Sequence, residues 1–143
     1  MTDFRRRLEG LQTRMDEKNL DLVVLGAGPD YQYLTGIGLN WRDGRDLNSP
    51  ADAVFVTRDD DPIIIGGANL VVKAEDSWIE DRRVLGMFED FKPAVKEIVE
   101  GIKPKRVGVG EYTWGSMALA VAAYSGGATF LSAEGMMDDL RMI

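Results

Sequence analysis

Leu20-Asp21-Leu22-Val23-Val24-Leu25-Gly26-Ala27-Gly28-Pro29-Asp30-Tyr31-Gln32-Tyr33-Leu34-Thr35-Gly36 is the stretch that decides the fold. Its first six residues form an apolar run broken only by Asp21. A run this short and continuous predicts a strand covered on both faces, as in an α/β sheet. Gly26 to Asp30 reads as a turn leaving that strand. Tyr31 to Gly36 reads as a short helical turn ended by glycine.

Upstream, Phe4, Leu8, Leu11 and Met15 recur at helical spacing, which predicts an amphipathic helix. Thr2 or Asp3 can cap its start, and Asn19 tolerates the left-handed conformation at its end. Downstream, Ile37 to Asp52 is a long polar loop, of the kind that often carries function. Ala53–Thr57 and Pro62–Gly66 read as two strands joined by a turn at Arg58-Asp59-Asp60-Asp61. Arg83–Leu85 is a weaker strand, and Phe91–Gly101 a helix with Phe91, Val95, Ile98 and Val99 on one side. Val107–Gly110 is a strand leading to Glu111, and Trp114–Tyr124 an Ala-rich helix. Ala128–Leu131 is a last strand, followed by a short acidic helix or loop over Ala133–Leu140. Strands interleaved with helices, with one hairpin, predict an α/β layered domain with a mixed sheet.

Composition narrows the chemistry. The 143 residues suit one domain, and 45% hydrophobic residues with 8% aromatics are ordinary for a globular chain. Seventeen Lys and Arg against 24 Asp and Glu give a net charge of −7, which disfavours nucleic acid. The chain has no cysteine and no histidine. Thiolate and imidazole nucleophile systems, and most zinc or di-metal sites, therefore lack their donors. The basic N-terminus lacks the apolar segment of a secretory signal, and no apolar run reaches membrane-spanning length. A cytoplasmic location is the expectation.

Several groups invite a functional reading. Gly26 and Gly28 follow a strand, but Tyr31 stands where a dinucleotide fingerprint needs its third glycine, so a plain turn is favoured. Asp59-Asp60-Asp61 reads as turn chemistry rather than a cation loop. The pairs Glu75-Asp76, Glu80-Asp81 and Glu89-Asp90 read as solvated surface. Glu111, at the end of a strand, reads as a helix-entry or structural carboxylate. Trp41, Arg42 and Arg45 in the long loop have the composition of a contact hot spot, and Arg can grip a carboxylate bidentately. The alternative is that Trp41 tucks onto the domain while the arginines pair with Asp43 and Asp46.

Arg6, Arg7, Leu8, Leu11 and Met15, then Leu20 to Val24, then Asp30-x-x-Tyr33-Leu34-Thr35-Gly36, resemble the creatinase/prolidase N-terminal domain. The 53–66 hairpin, the 91–101 helix, the Val107–Glu111 strand and the tail Leu140-Arg141-Met142-Ile143 fit the same plan over essentially the whole chain. The resemblance implies a ribonuclease-H-like three-layer domain over residues 1–143, with a mixed β-sheet flanked by helices. It implies a pita-bread catalytic domain C-terminal to this chain, as in prolidases, Xaa-Pro aminopeptidases and creatinases. That domain would hold two divalent metal ions of Mn, Co or Zn type, bound by Asp, His and Glu; no ligand position falls in this sequence. The resemblance further implies a homodimer of the full-length protein, with the loop after Tyr33–Gly36 shaping the active-site mouth; the length and composition of the loop at 37–52 make Trp41, Arg42 and Arg45 its candidates for contacting substrate. Asn19 stands where the family often has Gly, Asp30 where it often has Asn, and the loop is longer than in common prolidases. Two rival readings are an autonomous small-molecule binding domain using the Gly26–Asp30 turn, and an interaction module anchored on Trp41, Trp78 and Trp114.

Overall fold

The computed structural model describes residues 2–37, 51–67, 77–86 and 89–142. Helix α1 runs Phe4–Lys18 with Leu8, Leu11 and Met15 buried, as the spacing predicts. Asp3 caps it: its carboxylate accepts from the Arg6 N–H at 3.1 Å. Asn19 closes it in the left-handed conformation, φ 57°, returning its N–H to the carbonyls of Asp16 and Met15.

Strand β1, Leu22–Gly26, is buried at every residue. Helix α2, Pro29–Thr35, begins two residues earlier than Tyr31, because Pro29 sits in the first turn, where a missing N–H loses no helical bond. Strands β2 (Ala53–Thr57) and β3 (Ile63–Gly66) form the hairpin. Strand β4 is Asp81–Val84, shifted toward the N-terminus of the expected Arg83–Leu85. Pairing with β3 sets its limits, Ile63 lying opposite Asp81 and Gly66 opposite Val84. Helix α3 (Lys92–Ile102), strand β5 (Arg106–Val109), helix α4 (Gly115–Tyr124), strand β6 (Thr129–Ser132) and helix α5 (Glu134–Arg141) complete the chain.

The six strands form one sheet in the order β4-β3-β2-β1-β5-β6. Strand β2 runs antiparallel to both of its neighbours, β1 and β3, whereas β5 joins β1, β6 joins β5, and β4 joins β3 in parallel. Side chains alternate across the sheet. Val23, Leu25, Val54, Val56 and Ile64 face one core, shared with α1, α2 and α5. Leu22, Val24, Ala53, Phe55, Ile65 and Val107 face a second, shared with α3 and α4. The unbroken apolar run of β1 thus follows from helices on both faces, each buried Val or Leu being worth about 1.5–3 kcal/mol. The domain is an α/β three-layer structure with a mixed sheet, consistent with the ribonuclease-H-like plan.

Asp21, the one polar interruption beside β1, has a structural task. Its Oδ2 accepts from the N–H groups of Lys105 (2.8 Å) and Arg106 (3.1 Å), and its Oδ1 lies 3.3 Å from Arg58. Burial opposes its ionisation. The two backbone donors and Arg58 outweigh that, and hold the carboxyl below its usual range.

Candidate functional site

The signature residues gather where α1, α2 and α5 meet. Tyr33 donates its hydroxyl to the Leu140 carbonyl at 3.3 Å. Arg7 lies over the Tyr33 ring at 4.1 Å and donates to the Tyr33 carbonyl at 2.6 Å. Leu34 is fully buried, and its carbonyl accepts from Trp78 Nε1 at 2.9 Å. Thr35 is buried; its hydroxyl donates to the Tyr31 carbonyl at 2.8 Å and accepts from the Ile37 N–H at 3.1 Å. Its carbonyl accepts from Ser77 at 3.0 Å. Gly36 ends the helix at φ 77°, with the Phe4 ring only 2.7 Å from where a Cβ would stand. A left-handed backbone and an aromatic lid both require glycine here. The tetrapeptide Tyr33 to Gly36 is therefore a tie between elements, and its side chains are consumed by the fold.

Asp30 is the most unusual member. It is 6% exposed and faces Arg141, whose Nη1 is 2.8 Å from Oδ1. No donor is aligned on that oxygen among the described residues, so charge rather than a directed hydrogen bond holds the pair. Burial pushes the Asp30 carboxyl above its usual range, Arg141 opposes this, and Asp138 and Glu111 add to it. Arg141 also bonds Asp138. The tail expected to lead out of the domain is thus tied to α2 through Asp30–Arg141 and Tyr33–Leu140.

Tyr31 is fully buried in the core. Its hydroxyl is buried and has no partner among the described residues. Burial, and then the charge of Asp52, push its ionisation well above the ordinary tyrosine value.

The Gly26-x-Gly28 turn has no room for a phosphate. A Cβ on Gly26 would stand 2.3 Å from the Tyr112 carbonyl oxygen, and one on Gly28 2.5 Å from the Tyr112 ring. The Gly26 N–H donates to Thr113 Oγ1 at 3.0 Å, and that hydroxyl donates to the Val24 carbonyl at 3.2 Å. The turn after β5 fills the space a ligand would need, which supports the plain-turn reading.

Glu111 differs from expectation. It is exposed, and no side chain caps α4. Its charge is the main reason that Glu134 stays protonated to a higher pH than usual. The Asp59–Asp61 turn behaves as a turn: the Asp60 N–H donates to Thr57 Oγ1 and Gln12 Nε2 donates to the Asp60 carbonyl at 3.0 Å. Asp61 pairs with Arg5. Trp78 is no free surface anchor; it is half-buried against the core, donates to Leu34 and lies 4.9 Å from Arg5. Trp114 is 47% exposed. Trp41, Arg42 and Arg45 lie outside the described residues.

Among the described residues, no group of three His, Cys, Asp or Glu side chains could hold a metal ion. The chain also lacks the imidazole and thiolate donors on which most zinc sites draw, so the described donors do not fit such a centre. None of the described helices is long and apolar enough to cross a membrane. A groove of about 660 Å³ beside Tyr33 and Leu140 is lined by Asp3, Arg6, Arg7 and Glu9, a charged rim rather than an apolar pocket. Sequence reasoning missed Trp78, Thr113 and Arg141 as partners of the signature and the glycine turn. Nothing local marks residues that meet only through the sheet.

The Creatinase/Prolidase N-terminal domain family model matches residues 7–143. A proline dipeptidase structure from Streptococcus pneumoniae TIGR4 is similar at TM-score 0.78 and 20% identity, over 95% of this chain and 97% of that one. The N-terminal domain of an Xaa-Pro dipeptidase from Lactobacillus brevis matches at TM-score 0.76 and 20% identity, over 92% and 98%. A dipeptidase from Pyrococcus horikoshii OT3 matches at TM-score 0.78 and 20% identity, over 96% of this chain but 36% of that one. At these identities the likeness is one of fold. No curated protein matches this chain in sequence.

Proposed function

This chain belongs to the creatinase/prolidase N-terminal domain family, and from that membership we propose that it is the non-catalytic N-terminal domain of a metal-dependent Xaa-Pro dipeptidase-like hydrolase. The match over residues 7–143 carries the reading. The absence of histidine and cysteine supports the non-catalytic part, since nucleophile and imidazole acid/base systems lack their members. A C-terminal pita-bread domain would contribute the reaction. When bound there, two divalent ions would activate water and polarise the scissile carbonyl. The described donors of this chain do not fit those ions, so its own residues act by positioning.

In this reading the domain contributes to the dimer of a cytoplasmic enzyme and shapes the substrate entrance. The long loop supplies Arg42 or Arg45 to hold a substrate carboxylate by charge-assisted hydrogen bonds, and Trp41 to exclude water. The test is kinetic, on the protein carrying its catalytic domain. Arg42→Ala is expected to raise KM for Xaa-Pro dipeptides about tenfold, the effect of losing one charged hydrogen bond. Trp41→Ala and Arg42→Ala variants with unchanged kinetics and unchanged sedimentation would refute it. Hydrolysis by residues 1–143 alone would refute the non-catalytic assignment.

A further inference from the structure

Arg7 is a half-buried charge that no carboxylate balances among the described residues. Three other arginines show the contrast. Arg58, Arg83 and Arg141 have 27%, 31% and 31% of the side chain exposed, and each is held by two carboxylates. Removing a guanidinium from water without pairing it costs stability. Arg7 is fixed nonetheless. Its Nη1 donates to the Tyr33 carbonyl at 2.6 Å, and its guanidinium packs 4.1 Å from the Tyr33 ring and 5.3 Å from the Phe4 ring. Arginine has five N–H donors, so most of its hydrogen-bonding capacity is unspent in a rigidly held group.

Two recesses adjoin Arg7. One is the groove of about 660 Å³ beside Leu140, where Asp3 and Glu9 oppose an anion. The other, of about 460 Å³, lies between α1, α2 and the end of α5. Arg7, Arg141 and Gln32 are its polar walls, and Phe4, Pro29 and Tyr33 its apolar ones. No carboxylate lines it, although Asp and Glu outnumber Lys and Arg by 24 to 17 in the chain. Small-molecule sites occupy about 300–1,000 Å³, so the size suits a small ligand. Arg141 adds donors but little net charge, because Nη1 faces Asp30 and Nη2 bonds Asp138. The uncompensated charge offered to the recess is that of Arg7.

We propose that this recess is a binding site for a carboxylate carried on a small, flat apolar body, gripped by the Arg7 guanidinium. The planar fork of arginine matches the two oxygens of a carboxylate. A single uncompensated cation suits a monoanion rather than a phosphate dianion. The Phe4 and Tyr33 rings and Pro29 give the apolar body a surface to lie on. Two sources present this chemistry: a free carboxylic acid, and an Asp or Glu side chain of a further segment of the protein. The site does not depend on the enzyme reading above.

Benzoate is the probe, with benzamide as its neutral counterpart and inorganic phosphate as the dianion. Titration calorimetry on residues 1–143 is expected to give saturable benzoate binding with a dissociation constant on the order of 1 mM, the strength of one charge-assisted contact and one apolar face. Benzamide and phosphate should each bind at least about tenfold more weakly. Arg7→Lys keeps the charge and loses the fork, and should weaken benzoate at least about tenfold. Gln32→Glu changes an exposed side chain, so the fold should survive, as checked by circular dichroism; it sets a like charge in the recess and should weaken benzoate by a similar factor. Arg6→Gln, which alters only the neighbouring groove, should leave binding unchanged. The absence of saturable benzoate binding, equal affinity for benzamide or phosphate, or binding indifferent to both Arg7→Lys and Gln32→Glu overturns the site. Repeating the titration on the protein with its following domain separates the sources. Binding retained there supports the site with a free acid as its ligand. Binding present in residues 1–143 and lost there supports it with a carboxylate of the protein itself.

Discussion

Gly26→Ala tests most directly why the turn after β1 carries glycine. A Cβ at this position would stand 2.3 Å from the Tyr112 carbonyl oxygen and 2.6 Å from Thr113 Cα, both backbone atoms that no rotamer change can move. Ordinary contact needs about 3.4 Å, so the end of β1 and the 111–113 turn must part by about 1 Å in a close-packed region. Overpacking of this kind costs about 1–3 kcal/mol. The shift also disturbs the Thr113 hydroxyl bridge and the Gly110 N–H bond to the Val24 carbonyl at 2.8 Å, adding about 1 kcal/mol. The expected loss is about 2–4 kcal/mol. An unfolding entropy of about 2.1 cal/mol/K per residue over 143 residues converts this to a melting temperature lower by about 7–13 °C. Gly101→Ala is the matched control: it lies in α3 with nothing within 4 Å of the new Cβ, and should stabilise by about 0.5–1 kcal/mol. Thermal denaturation by circular dichroism reads both. A Gly26→Ala protein melting within about 2 °C of the parent would show that packing does not explain the glycine, and would reopen the turn as a ligand site.

Three further perturbations separate the charges and hydroxyls that the fold uses from those it tolerates. Asp21→Asn should destabilise by about 1–2 kcal/mol at pH 7, a figure kept low because Asp21 is partly solvated. Its folded pKa is lowered, so the stabilisation is present above the unfolded value and fades as pH falls through the folded one; a deficit that persists unchanged in acid would contradict this. Asp30→Asn should leave the melting temperature at pH 7 equal or higher, because burial outweighs Arg141 and raises the folded pKa. That cost is absent below the unfolded pKa and appears as pH rises through the folded one, so the variant's advantage should shrink on acidification; a marked drop in melting temperature at pH 7 would refute it. Tyr31→Phe removes a buried hydroxyl without a partner among the described residues, and should raise stability by about 1 kcal/mol, or about 3 °C. A loss of stability in urea denaturation would show that the hydroxyl is used.

Much of the secondary structure was legible because local patterns and tertiary placement agree. The spacing of Phe4, Leu8, Leu11 and Met15, with Asp3 before it and Asn19 after, defines α1 within a residue at each end. The continuous run ending at Leu25 announces a strand with helices on both faces, and Gly36 announces its left-handed turn. The composition also shows directly that no imidazole or thiolate chemistry can arise here, since a missing side chain has no structural remedy. Other features belonged to the tertiary structure alone. Burial and partners are set by segments far apart in the chain: Trp78 reaches Leu34, Arg141 reaches Asp30, and Tyr112 covers Gly26 and Gly28. A tryptophan that looks like an exposed anchor is held by a carbonyl 44 residues away, and a glycine pair that looks like a phosphate cradle is closed by a turn arriving from β5. Helical and strand periodicities report which face of an element is buried. They do not report what buries it, because that depends on how the sheet orders its strands.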